Sequence, residues 1–157
     1  ILSHKYFKLN PIDDIIGVQI CGAIKNIIAI ACGISSGLGI GQNTQSAILT
    51  FGLKEMKKLG ERLGAKEKTF YGLCGLGDLV LTASSDLSRN RILGKRIANG
   101  EKVSVICDTK RSACEGYDTL RQVIELSKLN EIEMPICQAV FNILFTDADP
   151  KSILNAF

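Results

Sequence analysis

The stretch that decides the fold is Gly17-Val-Gln-Ile-Cys-Gly-Ala-Ile-Lys-Asn-Ile-Ile-Ala-Ile-Ala-Cys-Gly33. It is apolar on nearly every side and too long for a strand, so it predicts a central helix that is buried all round. One cation, Lys25, lies near its middle, with Asn26 beside it. A lysine is almost never fully buried unless it is paired or functional. Lys25 is therefore a candidate functional residue, with a side chain that merely reaches the surface as an equal alternative.

The composition is that of an ordinary globular domain. The chain has 157 residues, of which 46% are hydrophobic and 22% are charged, enough for one domain with a substantial core. The net charge of +3 comes from 19 basic and 16 acidic residues scattered along the chain, and there is no tryptophan. A mild, dispersed charge without stacking aromatics argues against a nucleic-acid partner.

The cysteines and the single histidine argue against a metal site. Six cysteines occur without any C-x-x-C spacing, and His4 is the only histidine. Several of the cysteines lie in apolar runs, where a free thiol packs as a small hydrophobe. This usage predicts no metal and a reducing, cytoplasmic compartment.

The apolar stretch is long enough to suggest a membrane span, but polar residues interrupt it. Gln19, Lys25 and Asn26 all lie within it. A lysine in mid-span costs about 2.5–3.5 kcal/mol on insertion scales. The N-terminus also lacks the apolar segment of a signal peptide. We expect no membrane span.

The remaining pattern predicts an all-α domain of about seven or eight helices. Residues 34–42 carry three glycines and predict a loop, and residues 69–82 predict two short helices broken at 75–77. Residues 103–108 are ambiguous between strand and helix. Further helices are predicted at 43–63, 88–100, 117–129, 136–145 and 151–157. In the 43–63 helix, Glu55 falls among the charged residues expected outside.

Asp78 is a second candidate because it stands alone among apolar residues and needs a partner. Lys25 is the natural one. Thr82 is four residues further on and can share a helical face with Asp78. An equally good explanation for Asp78 alone is a capping carboxylate at the start of the next short helix.

The segment Ser88-Arg89-Asn90 lies at a predicted helix start, with Ser88 as the N-cap. A helix N-terminus attracts anions, and an arginine fork suits a phosphate. A capped surface helix with an exposed arginine is the commoner case. Glu115, followed by Gly116, is by itself only helix-start chemistry. No complete G-x-G-x-x-G or Walker loop occurs.

Taken together and in order, these motifs resemble a known family. Gly22-Ala-Ile-Lys-Asn26, Gly72-Leu-Cys-Gly-Leu-Gly-Asp78, Ser88-Arg-Asn90 and Glu115-Gly116 look like the C-terminal half of bacterial-type NAD(P)-dependent glycerol-3-phosphate dehydrogenase. The segments Gly37-Leu-Gly-Ile-Gly41 and Glu133-Met-Pro-Ile136 fit as well. The resemblance covers essentially the whole chain, and the combination is specific although each motif alone is weak.

The resemblance implies a function and a set of roles. Such enzymes interconvert dihydroxyacetone phosphate and sn-glycerol 3-phosphate with NAD or NADP, in a reaction that feeds glycerophospholipid synthesis. Lys25 matches the catalytic lysine and contacts substrate. The other residues that the resemblance places at the substrate are Asp78, Ser88, Arg89 and Asn90. It places Arg89 and Glu115 at the cofactor. Asn26 and Thr82 match the family's site residues less specifically.

The resemblance also implies a domain organisation. Residues 1–14, strand-like at the start, would be the tail of an upstream Rossmann domain that binds most of the cofactor. Residues 15–157 would form a helical domain similar to the C-terminal domain of 6-phosphogluconate dehydrogenase. We expect the chain alone to be inactive, and a homodimer is possible. Two alternatives remain, the helical domain of another β-hydroxyacid-type dehydrogenase and a catalytically silent dimerisation module.

Overall fold

The computed structural model describes residues 3–107 and 114–157. The described part is helical throughout and contains no β-strand, so the predicted all-α class is confirmed. Its α-helices are, in order, α1 Ile15–Gly37, α2 Gln42–Arg62, α3 Glu67–Phe70, α4 Asp78–Ser84, α5 Arg89–Ala98, α6 Val103–Cys107, α7 Glu115–Leu129 and α8 Pro135–Phe145. A π-helical turn, Leu73–Gly77, joins α3 to α4, and a 3₁₀ helix, Pro150–Asn155, follows α8.

Helix α1 is the centre of the domain, and it ends four residues later than predicted. It continues to Gly37 and ends at the C-cap residue Leu38, whose amide donates to the Ile34 carbonyl oxygen. Its second half is buried on every side, against α2, α4, α5, α7 and α8. Its beginning is not, since Val18 is 38% exposed and Gln19 is exposed as well. The prediction of a helix buried all round is therefore wrong for the start of the Gly17–Gly33 stretch.

The start of α1 is fixed by Asp14. Its carboxylate accepts hydrogen bonds from Gly17 N at 2.9 Å, from Lys66 N at 2.8 Å and from the Thr69 hydroxyl at 2.5 Å. The bond from Thr69, followed by the bond from the Gly17 amide, lowers the pKa of Asp14. One buried side chain therefore caps α1 and ties it to the chain around α3.

Two glycines bring α1 and α5 into backbone contact. A Cβ atom at Gly33 would lie 2.1 Å from the Arg91 carbonyl oxygen, and one at Gly94 would lie 2.2 Å from the Ile30 carbonyl oxygen. No side chain fits at either position. The two helices therefore cross with their main chains touching, and this crossing fixes where α5 begins relative to α1.

Several other predictions need correction. Residues 103–107 are helical, which resolves that ambiguity, and residue 108 lies outside the described residues. The strand-like start forms only an isolated bridge between His4 and Phe7. The predicted loop over 34–42 shrinks to residues 38–41. Each error concerns a boundary where short-range propensity gives way to packing.

Glu55 was expected on the outer face of α2 but is buried. Its two carboxylate oxygens accept from Ile136 N at 2.6 Å and Cys137 N at 3.1 Å, the first amides of α8. Burial raises the pKa of Glu55, and the two amide donors oppose the rise. Hydrophobic periodicity does not predict that Glu55 is buried, because Glu55 caps a helix that begins about 81 positions further along the chain.

The cysteines whose side chains are described are free thiols. Burial raises the pKa of Cys21 and of Cys32 to about 12. Such thiols are chemically inert and serve as packing groups. Cys74, in the π-helical turn, is only half-buried.

Among the described residues, α1 is the one helix long and apolar enough to cross a membrane by length and composition. Of its most apolar 18-residue window, 56% is buried inside the protein. The core helix of a water-soluble protein passes the same test, so α1 is weak evidence for a span. Its packing against the surrounding helices accounts for its apolar character.

The α1–α5 crossing predicts opposite effects for two glycine substitutions in one helix. Gly33→Ala should lower the free energy of unfolding by about 1–3 kcal/mol or more, because the new methyl group meets main chain that cannot move aside. Gly22→Ala meets nothing within 4 Å and should raise it by up to about 1 kcal/mol through helix propensity. Urea denaturation of both variants measures this. Equal changes in the free energy of unfolding for the two variants would contradict the described crossing.

Candidate active site

Lys25 and Asp78 form an ion pair between α1 and α4. Lys25 Nζ donates to Asp78 Oδ2 at 2.5 Å, and their side chains are 21% and 36% exposed. The pair is therefore half-buried rather than sealed in the core. Lys25 is neither isolated nor simply extended into solvent, because a carboxylate fixes its amino group.

The π-helical turn presents Asp78 to Lys25. Gly75 packs so closely on Phe70 that a Cβ atom would lie 2.2 Å from the Phe70 carbonyl oxygen. The turn then passes directly into α4, whose N-cap is Gly77 and whose first residue is Asp78. The alternative that Asp78 is the N-cap residue of this helix is wrong, because Gly77 occupies that position and the Asp78 carboxylate bonds to the side chains of Lys25 and Thr82.

Thr82 holds the other oxygen of the same carboxylate. Its hydroxyl donates to Asp78 Oδ1 at 3.2 Å from one helical turn further along α4. With one oxygen on Thr82 and the other on Lys25, the Asp78 carboxylate has a fixed orientation. It therefore directs the Lys25 amino group.

The start of α5 has the character of an anion site. The Ser88 hydroxyl caps the helix by accepting from Arg91 N at 3.3 Å, and the Ser88 carbonyl accepts from Ile92 N at 2.9 Å. The amides of Arg89 and Asn90 have no acceptor within the helix. The Arg89 side chain is exposed beside them. Main-chain donors, a hydroxyl and a guanidinium thus meet at one helix end.

A cavity of about 320 Å³ opens in front of this helix end. It is lined by six of the eight residues singled out from the sequence, together with Ser85 and two leucines: Asn26, Leu81, Thr82, Ser85, Leu87, Ser88, Arg89, Asn90 and Glu115. The other two predicted residues, Lys25 and Asp78, do not line it, but Asp78 bonds both to Lys25 and to the lining residue Thr82. Six of the eight residues therefore converge on one cavity, and the remaining pair is joined to it through Thr82. A larger cavity, of about 770 Å³, lies at residues 8–13 and 68–74, and none of the eight lines it.

Asn26 is more central than its weak sequence signal suggested. Its amide nitrogen donates to Gly22 O at 3.1 Å and to Glu115 Oε2 at 3.0 Å, and its oxygen accepts from Asn90 Nδ2 at 3.0 Å. The Asn90 oxygen accepts from Gly116 N at 3.1 Å. These bonds join α1, α5 and α7 behind the cavity.

Arg91 is a site residue that sequence reasoning missed. Its buried guanidinium donates to Ala83 O at 2.8 Å and to the Ser36 hydroxyl at 3.2 Å, and its Nε lies 3.5 Å from Asp86 Oδ1. It therefore fixes the loop between α4 and α5 just ahead of Ser88. In the sequence, Arg91 differs from the exposed Arg89 only in its position around the axis of α5.

The titratable side chains of the described residues form no group of three or more that could hold a metal ion. The candidate site thus consists of a lysine–carboxylate pair next to a helix end whose first amides have no acceptor within the helix. The family described as NAD-dependent glycerol-3-phosphate dehydrogenase C-terminus matches residues 14–155, the same residues that build this arrangement. The chain belongs to this family.

Relatives of the glycerol-3-phosphate dehydrogenase family cover nearly the whole chain. The glycerol-3-phosphate dehydrogenase [NAD(P)+] of Ruthia magnifica is 49% identical over 142 residues, which are 90% of this chain and 44% of the relative. That of Trichlorobacter lovleyi is 48% identical over 143 residues, which are 91% of this chain and 43% of the relative. The chain thus spans less than half the length of these relatives.

A solved glycerol-3-phosphate dehydrogenase has the same fold over the matching part. The crystal structure of the Coxiella burnetii protein aligns with a TM-score of 0.93 and 42% identity, covering 98% of this chain and 47% of that one. The yeast enzyme aligns with a TM-score of 0.87 and 28% identity. The helical arrangement around the candidate site is therefore the family's own.

Proposed function

We propose that this chain is the substrate-binding part of an NAD(P)-dependent glycerol-3-phosphate dehydrogenase, an oxidoreductase that interconverts dihydroxyacetone phosphate and sn-glycerol 3-phosphate. The observation that carries the proposal is the Lys25–Asp78 pair beside the cavity at the start of α5. A proton donor and an anion site at one cavity match a substrate with a carbonyl at one end and a phosphate at the other.

Lys25 acts as the proton donor and acceptor for the substrate oxygen. Reduction of the ketone places negative charge on that oxygen, and a neighbouring ammonium group both stabilises the charge and provides the proton. In the reverse direction the lysine takes the proton from the alcohol. Asp78, held by Thr82, keeps the amino group oriented for either direction.

The start of α5 binds the substrate phosphate. Ser88 can still donate its hydroxyl proton, and the amides of Arg89 and Asn90 point out of the helix end. Arg89 adds a charged, two-pronged donor. Holding the phosphate there fixes the carbonyl relative to Lys25, and such positioning accounts for a large share of catalysis in reactions of this kind.

The residues present fit a nicotinamide cofactor at the same cavity. Asn26 donates to one oxygen of the Glu115 carboxylate and so orients it, and Glu115 lines the cavity. The other carboxylate oxygen can accept a hydrogen bond from the carboxamide of the nicotinamide. Arg89 offers a cation to the cofactor's phosphates. NADH or NADPH, when bound, supplies the hydride. The protein's residues orient the substrate and move the proton.

A Rossmann domain would complete the enzyme and bind most of the cofactor. In this proposal residues 1–14 are the end of that domain and residues 15–157 form the helical domain. The exposed Leu81 and Leu87 at the cavity rim are apolar surface for such a domain to cover. The five free thiols described suit a reducing cytoplasm. A homodimer and a role in glycerophospholipid synthesis are further parts of the proposal.

Lys25→Ala should lower kcat for reduction of dihydroxyacetone phosphate by about 10²–10⁴-fold in the full-length enzyme, because the proton donor is lost. NADH oxidation measured by absorbance reports the rate, and thermal unfolding reports the fold. Lys58→Ala, an exposed lysine on α2, is the matched control and should leave kcat unchanged. Normal turnover by the Lys25 variant would rule out the assignment.

Arg89→Ala should raise KM for dihydroxyacetone phosphate by about 10–100-fold, because a hydrogen bond to a charged group is worth about 1.5–3 kcal/mol. KM for the phosphate-free analogue dihydroxyacetone should rise much less. Arg62→Ala, at the exposed end of α2, controls for loss of a positive charge. An unchanged KM, or equal losses for both substrates, would contradict a phosphate anchor at Arg89 and favour a dehydrogenase of a different hydroxy acid.

A further inference from the structure

We propose that Thr69 and Asp14 are positioning residues for the Lys25–Asp78 pair. This inference rests on the proposed function and adds to it two buried side chains outside the cavity. The Thr69 hydroxyl donates to Asp14 Oδ2 at 2.5 Å, which joins the start of α1 to the segment that leads to Asp78. Neither Thr69 nor Asp14 lines the cavity at the start of α5, so both act through other groups.

The bond between Thr69 and Asp14 closes a ring of contacts, and the Lys25–Asp78 pair is its opposite closure. From Asp14, one segment follows α1 to Lys25. From Thr69, the other segment follows the π-helical turn to Asp78. Lys25 Nζ then donates to Asp78 Oδ2 at 2.5 Å. In such a ring, a shift at one closure must be taken up at the other unless the segments between them deform.

Close packing leaves both segments little room to deform. A Cβ atom at Gly17, in the first turn of α1, would lie 2.8 Å from the Thr69 methyl carbon. On the other segment, the Thr69 carbonyl oxygen accepts from the Cys74 thiol at 3.7 Å. A Cβ atom at Gly75 would lie 2.2 Å from the Phe70 carbonyl oxygen. Movement at Thr69 therefore passes along the π-helical turn toward Asp78 instead of being absorbed within it.

The Thr69 hydroxyl is the one side-chain donor to Asp14 among the described hydrogen bonds. The other two donors are main-chain amides, Gly17 N at 2.9 Å and Lys66 N at 2.8 Å. Thr69 is 2% exposed and Asp14 is 5% exposed. A bond from a hydroxyl to a carboxylate is stronger than one between neutral groups, and burial makes its loss costly. Removal of this hydroxyl should therefore shift the segment that carries Asp78.

Thr69→Val removes the hydroxyl and keeps the shape of the side chain. In the full-length enzyme it should lower kcat for reduction of dihydroxyacetone phosphate by roughly 10–10²-fold, because a misplacement of about 1 Å costs up to that much. KM should stay nearly unchanged, since Ser88 and Arg89 lie outside the ring. Thr69→Ser keeps the hydroxyl and should retain most of kcat. Single-turnover oxidation of NADH measures the rate.

The same substitution in a Lys25→Ala background separates positioning from general support of the fold. Once Lys25 is absent there is no amino group to orient, so Thr69→Val should lower kcat no further. A residue that only supports the fold would lower the rate in both backgrounds. Thr50→Val is the matched control, because Thr50 is an exposed threonine on α2 whose hydroxyl donates to the Ser46 carbonyl oxygen at 2.8 Å. It should change neither kcat nor KM.

Thermal unfolding checks that each variant is folded. If Thr69→Val does not fold, Asp14→Asn replaces it. Asparagine caps helices as well as aspartate does, so the bond from Gly17 N is kept, but its amino group meets the Lys66 amide, which is also a donor. Asp14→Asn should give the same fall in kcat at nearly constant KM.

Three results would overturn the positioning role and leave the proposed function standing. They are a rise in KM at unchanged kcat, an equal loss of kcat in the Thr69→Ser variant, and a full loss in the Lys25→Ala background. Absence of turnover by the unmodified full-length enzyme would instead refute the proposed function, and the positioning role with it.

Discussion

The close crossing of α1 and α5 is the constraint on which the site depends. Gly33 and Gly94 let the two main chains touch, so α5 has one possible position along α1. Lys25 lies eight residues before Gly33, which is about 12 Å along the helix. Ser88 lies six residues before Gly94. Lys25 and the start of α5 are thus placed relative to each other by backbone contact, not by flexible side chains.

Polar bonds then set the remaining geometry across this rigid frame. The carboxylate of Asp78 orients Lys25, and the amides of Asn26 and Asn90 fasten α7 to the same two helices. Each of these groups is buried or half-buried, so its hydrogen bonds are stronger and their loss is more costly than at an open surface. The cavity itself stays polar and open, as a site for a small charged substrate requires.

Much of the fold could be predicted from the sequence because its strongest signal is periodicity. The apolar stretch around Lys25 and the Ser88 cap predicted α1 and the start of α5 correctly. Glu55 shows where such reasoning fails, because its role depends on amides 81 positions away. The π-helical turn that presents Asp78 and the extension of α1 to Gly37 also follow from tertiary packing, which local propensity does not contain.

The candidate residues were found for a different reason, namely the resemblance of the motifs taken together. The residues alone left Asp78 as an equally plausible helix cap, and the structure removes that alternative because Gly77 is the N-cap residue and Asp78 pairs with Lys25. The hydrogen bond between Asn26 and Asn90 was not predictable at all, since the two residues are 64 positions apart and neither has a distinctive local pattern. Arg91 was missed because burial, not residue type, separates it from Arg89.

We propose that Lys25 exchanges a proton with the substrate oxygen while the start of α5 holds the phosphate. A crystal structure of the full-length enzyme with sn-glycerol 3-phosphate and the oxidised cofactor tests it most directly. The account predicts that Lys25 Nζ lies about 2.6–3.2 Å from the oxygen on C2, with the phosphate at Ser88 and Arg89. A substrate bound with that oxygen beyond reach of Lys25, or with its phosphate away from α5, would contradict the account.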